Sequence, residues 1–523
     1  MCARSARFPE FCDRQLQPAG VPKAALPQKV CAVRLLKYMV RITALRYHGA
    51  AMRLLFLVSV FLCLLSFSLV ARSEKHSSVR YQLIYSAPEG PSVHVRIELP
   101  GAAAAPRTLL IPRAVPMGYA DEPYDQFVGN VAAFDAAGKS LAVTRGDGPR
   151  WRVGPAARVE YDVDLARMEQ MILDGTDSSR VRPGYVSLLG YSVFGFIEDA
   201  ENLPVELHIE APKGWPVFST LAPAGGTLRA PNFYALADSQ MILGTGANIT
   251  SVHYPREKDV PLALALYSEA PIDQARVERL AGEALAAIIQ YFDGADPAPF
   301  PHYTVLLEFL KPLSEKHSYG FGMEHMESFH AAMAAGDADP ARFSDVGLRY
   351  HIAHHAAHAW IPKRCSSEGY FPFSWDHSPP IDTIWFSEGF AQYAAIAALA
   401  TTEEHRQQML DRRFRSALRE SPPGMRRMSL RDLSLLASTQ YAADFRIGRL
   451  TFSRGGLMAA EMDDRIRAQS HGQKSLRDAL RHLIAWSAQN QRPFKVDELP
   501  VRFREATGVE TRDILDRWLA PLD

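Results

Sequence analysis

From about Val79 to His253 apolar and polar positions alternate in short runs. VRYQLIYSA, SVHVRIELPG, RTLLIPRAV, ARVEYDVDL and VELHIEAP mix strict alternation with β-branched clusters, and Pro/Gly turns separate them. Side chains two apart on a strand share a face, so the pattern predicts many short strands, each with one buried side. A β-sandwich domain over residues 75–256 follows from it. The Pro-containing segment SVHYPREKDVP, at 251–261, marks its end.

Beyond that segment the period changes. PIDQARVERLAGEALAAIIQYF carries the apolar stripe of a helix, and YTVLLEFL at 303–310 is a strand. DVGLRYHIAHHAAHAW and TIWFSEGFAQYAAIAALA predict two helices bracketing a Pro-rich loop. After Thr401 helical patterns dominate, including SRGGLMAAEMDDRIRAQ, QKSLRDALRHLIAWSAQ and TRDILDRWLAPL. The expected architecture is α+β and multidomain: a β-sandwich at 75–256, a mixed α/β domain at 257–400 and a helical domain at 401–523.

Composition narrows the partners. Lys+Arg and Asp+Glu balance at 58 each, which gives no reason to expect a nucleic acid. The N-terminus is distinct. Residues 1–51 have no clear period and are expected to be a disordered or non-native extension ahead of a start at Met52. MRLLFLVSVFLCLLSFSLVA, at 52–71, has one arginine, an apolar core and a small residue at its end. That layout predicts a cleaved signal peptide and an exported, periplasmic or extracellular protein. An uncleaved membrane anchor is the alternative, since the apolar run is nearly long enough to span a bilayer. The chain after Ala71 then keeps one cysteine, Cys365, a loop thiol with no mark of a nucleophile.

The chemistry concentrates in HIAHHAAHAW, at 351–360, with four histidines in eight positions. On a helix His354 and His358 share a face and can place both imidazoles on one metal ion. His351 and His355 form a rival pair at the same spacing. WFSEGFAQY supplies Glu388 on the following helix, so His354, His358 and Glu388 make a two-His, one-carboxylate set of the kind that holds catalytic zinc. Upstream, GFGMEHMESFH at 320–330 is placed to line the cleft as an edge strand that pairs with an extended peptide. Glu324 would then neutralise the free amino group of a substrate.

These motifs resemble the glycyl aminopeptidase family of gluzincin metallopeptidases. GMEH, Gly322 to His325 with Met323 and Glu324 between, resembles that family's Gly-Gly-Leu-Glu-His substrate-binding segment. HHAAHAW resembles its H-E-x-x-H-x-W, with Trp360 setting the register on His354 rather than His351. WFSEGF resembles its third-ligand motif, FYALADSQMILG the close of its β-domain, and SRGGLMAAEMD a later helix. The resemblance implies a thermolysin-like catalytic domain, one zinc ion and action on the N-termini of peptides or proteins, with Gly or Ala preferred. The PDZ domain of many relatives is not expected here, since the sequence read leaves no room for one after Leu522.

Two positions depart from the pattern. His355 stands where the family has the Glu that takes a proton from the metal-bound water. Phe452, in TFSRGG, stands where relatives place the tyrosine that stabilises the oxyanion. Tyr441, eleven residues earlier, compensates only if the backbone brings it in. Losing a general base costs about 10²–10⁴-fold in rate, and losing an oxyanion donor about 10²–10³-fold. The expectation is weak or absent peptide hydrolysis, the alternative being a pseudopeptidase that binds peptides or a protein partner through an inherited cleft.

Overall fold

A computed structural model describes residues 78–521, apart from 89, 102–104, 120, 225, 255–259, 295 and 442. The extension 1–51 and the signal segment at 52–71 lie outside the described residues. Among those described, no helix is long and apolar enough to cross a membrane. The N-terminal sheets and the elements around the histidines lie in one compact unit, His76–Ser487 with Pro493–Asp523.

The alternating runs do form the N-terminal sheets. Val79–Ile84 sits between Ser92–Glu98, antiparallel, and Val205–Glu210, parallel. In that register Tyr81 faces Ile97 and Leu207, and Val95 faces Leu83 and Tyr161. All of them are buried. The apolar member of every second position therefore points into one core, which also takes in two four-stranded sheets. Each buried Val, Leu or Ile there contributes about 1.5–3 kcal/mol over its exposed state.

The second region is built on a five-stranded sheet ordered Asn248–Val252, Leu262–Ser268, Tyr303–Leu310, Ser328–Ala334 and Phe321–Glu324. Tyr303–Leu310 is buried at every residue because it is central in the sheet, with helices packed on one face and the small N-terminal sheet on the other. Asn248–Val252 pairs with Leu262–Ser268, so this sheet begins before residue 257, ahead of the boundary expected at the proline-containing segment. Phe321–Glu324 pairs on one side only, with Ser328–Ala334, so the edge strand takes in only the first part of the 320–330 segment, and Ser328 onward lies in an inner strand.

Two helices carry the metal-type motifs. Asp345–Ala357 starts at Ser344, whose hydroxyl accepts from the Gly347 N–H, and Ile384–Leu399 follows the loop. The first is pinned past its end by Trp360, which stacks on Phe292 at 4.9 Å and donates its indole N–H to Asp293. The second crosses the long helix Phe445–Gln469 at glycines. A β-carbon on Gly389 would come within 2.5 Å of the Gly455 backbone, and one on Gly455 within 2.0 Å of the Trp385 carbonyl. The glycines of WFSEGF and SRGG are thus explained by close helix packing.

Candidate metal centre

His354 lies in the last turn of Asp345–Ala357, and His358 is the residue that ends it. Glu388 lies in the second turn of the facing helix. His354 Nε2 stands 3.2 Å from Glu388 Oε2 and 3.0 Å from His358 Nε2, and His358 Nε2 stands 3.7 Å from the same carboxylate oxygen. Donors sharing one tetrahedral zinc at its usual bond lengths are about 3.3–3.6 Å apart. The three expected ligands are therefore gathered at nearly the spacing one ion requires.

Their protonation suits a cation as well. His358 Nδ1 is 2.8 Å from the Ile361 carbonyl, a contact that takes its N–H and turns Nε2 toward His354 and Glu388. Burial pushes the Glu388 carboxyl up, but His358, His354 and the Tyr119 hydroxyl outweigh it and hold it down to about 2. Burial lowers His354, despite its bond to Glu388. A neutral His354 has one hydrogen at most on Nε2, so it cannot satisfy both short contacts. One of them is left unsatisfied, and a cation among the three resolves it.

His355 projects elsewhere. Its ring stacks on Phe329 at 5.3 Å and lies under the edge strand at Gly322. It is 7% exposed, and its Nδ1 has no hydrogen-bond partner. Burial, then the neighbouring histidines, lower it well below the ordinary imidazole range, so the ring is neutral. One of its nitrogens lies within 4.8 Å of donor atoms of His354 and His358. His351 Nε2 is likewise without a partner, and burial drives its pKa to about 3. Glu324 is buried, with a carboxylate oxygen within 4.8 Å of donor atoms of both His358 and Glu388.

The GMEH segment divides. Gly322, Met323 and Glu324 lie in the edge strand, but His325 turns inward at 1% exposure. Its Nδ1 meets Asp238 at 3.0 Å and its Nε2 meets His330 at 3.1 Å, while His330 reaches the Thr176 carbonyl. Both of its nitrogens are engaged within the protein. It holds the turn after Glu324 through Asp238, which also accepts from the Met326 N–H. Asp238 sits in FYALADSQMILG, a segment the sequence flagged without giving that residue a role.

Phe452 packs in a cluster with Ile384 and Ile447, and its ring lies 6.0 Å from Tyr441. Tyr441 in turn lies edge-on to Tyr119 at 5.5 Å, so the backbone does bring it toward the site. Tyr119, from the N-terminal region, donates its hydroxyl to Glu388 Oε1 at 3.0 Å. Nothing in the sequence pattern of PMGYADEPYDQF pointed to it. Cys365 is fully buried, and burial pushes its thiol far up, as suits an inert residue.

A β-domain set against an α/β domain, with two histidines from one helix and a carboxylate from the next, defines a metallopeptidase-type protein. The family model of the peptidase M61 N-terminal domain matches residues 80–245, and that of the M61 glycyl aminopeptidase matches residues 348–449. By these two matches the chain belongs to the M61 glycyl aminopeptidase family. Among solved structures it is similar to an aminopeptidase N family protein from Idiomarina loihiensis, at 20% identity and a TM-score of 0.72, over 85% of this chain and 76% of that one. It is also similar to a mutant M1 zinc metallopeptidase from Deinococcus radiodurans bound to a Tyr-Ser-Ala substrate, at 15% identity and a TM-score of 0.50, over 85% and 93% of the two chains. These likenesses speak to the fold. A search of curated proteins returns no match.

Proposed function

We propose that the chain is an exported, zinc-binding aminopeptidase homologue that takes peptide N-termini and hydrolyses them weakly or not at all. The observation that carries this reading is the convergence of His354, His358 and Glu388 within 3.7 Å of one another, beside a histidine in place of the general base. A zinc ion on these three donors would supply a Lewis acid for the scissile carbonyl and make water acidic at neutral pH. Glu324, buried at the end of the edge strand, would hold the substrate ammonium, and Phe321–Glu324 would pair with the peptide backbone. The mutant M1 enzyme of similar fold carries a tripeptide, which fits a peptide as ligand.

His355 is the group that limits turnover. Its neutral ring can accept a proton, but its depressed pKa makes it a weak base, and it brings no negative charge to the centre. Phe452 has no hydroxyl to offer an oxyanion. The orphaned Nδ1 of His355 favours the second reading, a pseudopeptidase that retains the cleft and binds a peptide or partner without cleaving it.

The test is zinc stoichiometry and glycyl-anilide turnover on purified wild type, His355→Glu and His354→Ala. Bound zinc, with turnover rising at least about 10²-fold in His355→Glu, supports the reading. Wild-type turnover equal to that of His355→Glu would refute the inactivity, and absence of zinc from the wild type would refute the metal site. Peptide binding without turnover in the zinc-loaded wild type selects the pseudopeptidase. Export is tested by the N-terminal residue of the protein recovered outside the cytoplasm, expected after Ala71.

A further inference from the structure

The third ligand of the metal site, the Glu388 carboxylate, is not held by its own domain alone. Its Oε2 faces His354 and His358, while its Oε1 accepts from Tyr119, 269 residues earlier in the chain. Tyr119 rides on a turn that the second domain grips from several sides. The buried Lys363 ammonium, in the segment just after the histidine helix, donates to the Pro116 carbonyl at 2.6 Å. The backbone N–H groups of Arg113 and Ala114 both reach the Trp375 carbonyl, and the Ser378 N–H donates to Asp121 at 2.6 Å. Within the turn Ala114 bridges Asp121, and the Glu122 N–H returns to the Arg113 carbonyl.

The backbone conformation agrees. Met117 holds φ of 58°, a left-handed conformation that a methionine keeps only when its surroundings impose it. Its side chain is buried in the cluster that also contains Phe452 and packs against Tyr119 and Tyr441. The turn is thus fixed at its base by hydrogen bonds and near its tip by packing, and what it delivers to the ligand helix is one phenol. A hydrogen bond from outside the ligand set orients a coordinating carboxylate and sets which oxygen faces the ion.

We propose that Tyr119 is a positioning residue of the metal centre, so that the N-terminal domain completes the site by holding Glu388 with Oε2 turned to the histidines. The proposal rests on the metal-binding reading above, and its consequence is that metal affinity depends on the docking of the two domains. Phe452 lies beyond Tyr441 in the same aromatic row, so the hydroxyl missing there is not what holds Glu388.

The test uses the full mature chain, with zinc alone as the probe, titrated in competition with a metallochromic chelator. Tyr119→Phe is expected to bind zinc about 10–100-fold more weakly than wild type at an unchanged folded fraction. Tyr441→Phe, which removes the neighbouring phenol but not the bond to Glu388, is expected to bind as wild type does. Equal affinity in Tyr119→Phe and wild type overturns the proposal, as does an equal loss in both variants. A second measurement needs no metal: melting temperatures of the metal-free wild type, Tyr119→Phe, Glu388→Ala and the double variant. Non-additive shifts are expected, and additive ones overturn the proposal. Should the wild type bind no zinc, the metal reading fails and this cycle alone decides whether Tyr119 holds Glu388.

Discussion

Gly322 and His355 are in contact across the cleft wall: a β-carbon on Gly322 would stand 2.7 Å from His355 Nε2. A histidine fits at the general-base position because the facing strand residue has no side chain. The two positions are therefore coupled. Gly322→Ala is expected to destabilise the protein by about 1–3 kcal/mol through overpacking against a ring that Phe329 backs. In a His355→Ala background the same substitution should cost less than about 0.5 kcal/mol. Urea denaturation of the four proteins measures the cycle, and additive costs would mean that the contact is unimportant.

Zinc should act as a folding ligand. The three donors are brought together by folding, so an ion binding them stabilises only the folded chain. Zinc at about 100 times its Kd should raise the unfolding free energy by about 2.7 kcal/mol. In His358→Ala, which lacks the donor whose Nε2 points inward, the zinc-induced shift should vanish whatever the starting stability. Calorimetry with and without zinc reads this directly, and a shift of wild-type size in His358→Ala would place the ion elsewhere.

Much of the site was legible because it is local. His354 and His358 are one helical turn apart, and Trp360, which gave the register, buries its ring against Phe292 and Phe300. The sandwich was legible for the same reason: Val93, Val95 and Ile97 alternate with polar residues over a strand short enough to read by eye. What stayed hidden depends on contacts between distant segments. Tyr119 and Glu388 are 269 residues apart, and no period or spacing relates them. The inward turn of His325 was not legible, because a motif gives residue order but not which side of a turn a ring occupies. Gly389 and Gly455 were read as motif members, whereas a helix crossing accounts for them.

Glu122 gives the protein a pH dependence near neutrality. Burial first, then Asp174 and Asp121, push its carboxyl up to about 7 from an ordinary value of 4.5. The folded state therefore holds a proton that the unfolded state has already released between these two values. Stability contributed by this group is full below pH 4.5 and falls as pH rises toward 7. The loss is on the order of 1–3 kcal/mol. Glu122→Gln keeps the shape without the charge, and should be more stable than wild type at pH 8 and about equal at pH 4.5. Melting curves across that range check the sign, and a wild type that gains stability relative to Glu122→Gln as pH rises would refute it.

Arg180 ties the small N-terminal sheet to the central strand of the second region. The side chain is fully buried, Nη1 lies 3.2 Å from Glu308, and Nη2 donates to the Gly175 and Ser178 carbonyls. Glu308 lies in Tyr303–Leu310 and also accepts from the Tyr185 hydroxyl at 2.9 Å. Removing the guanidinium leaves a buried carboxylate with one partner fewer and two carbonyls unpaired. Arg180→Met should cost about 3–5 kcal/mol, far more than any surface pair in the chain. Replacing both members with apolar groups removes the uncompensated charge, so Arg180→Met with Glu308→Leu should recover at least half of that loss. The bond joins two regions, so the single variant should also unfold in two steps where the wild type unfolds in one. Denaturant unfolding followed by tryptophan fluorescence and far-ultraviolet circular dichroism separates the outcomes: coincident curves and a loss below about 1 kcal/mol would show that the pair does not couple the domains.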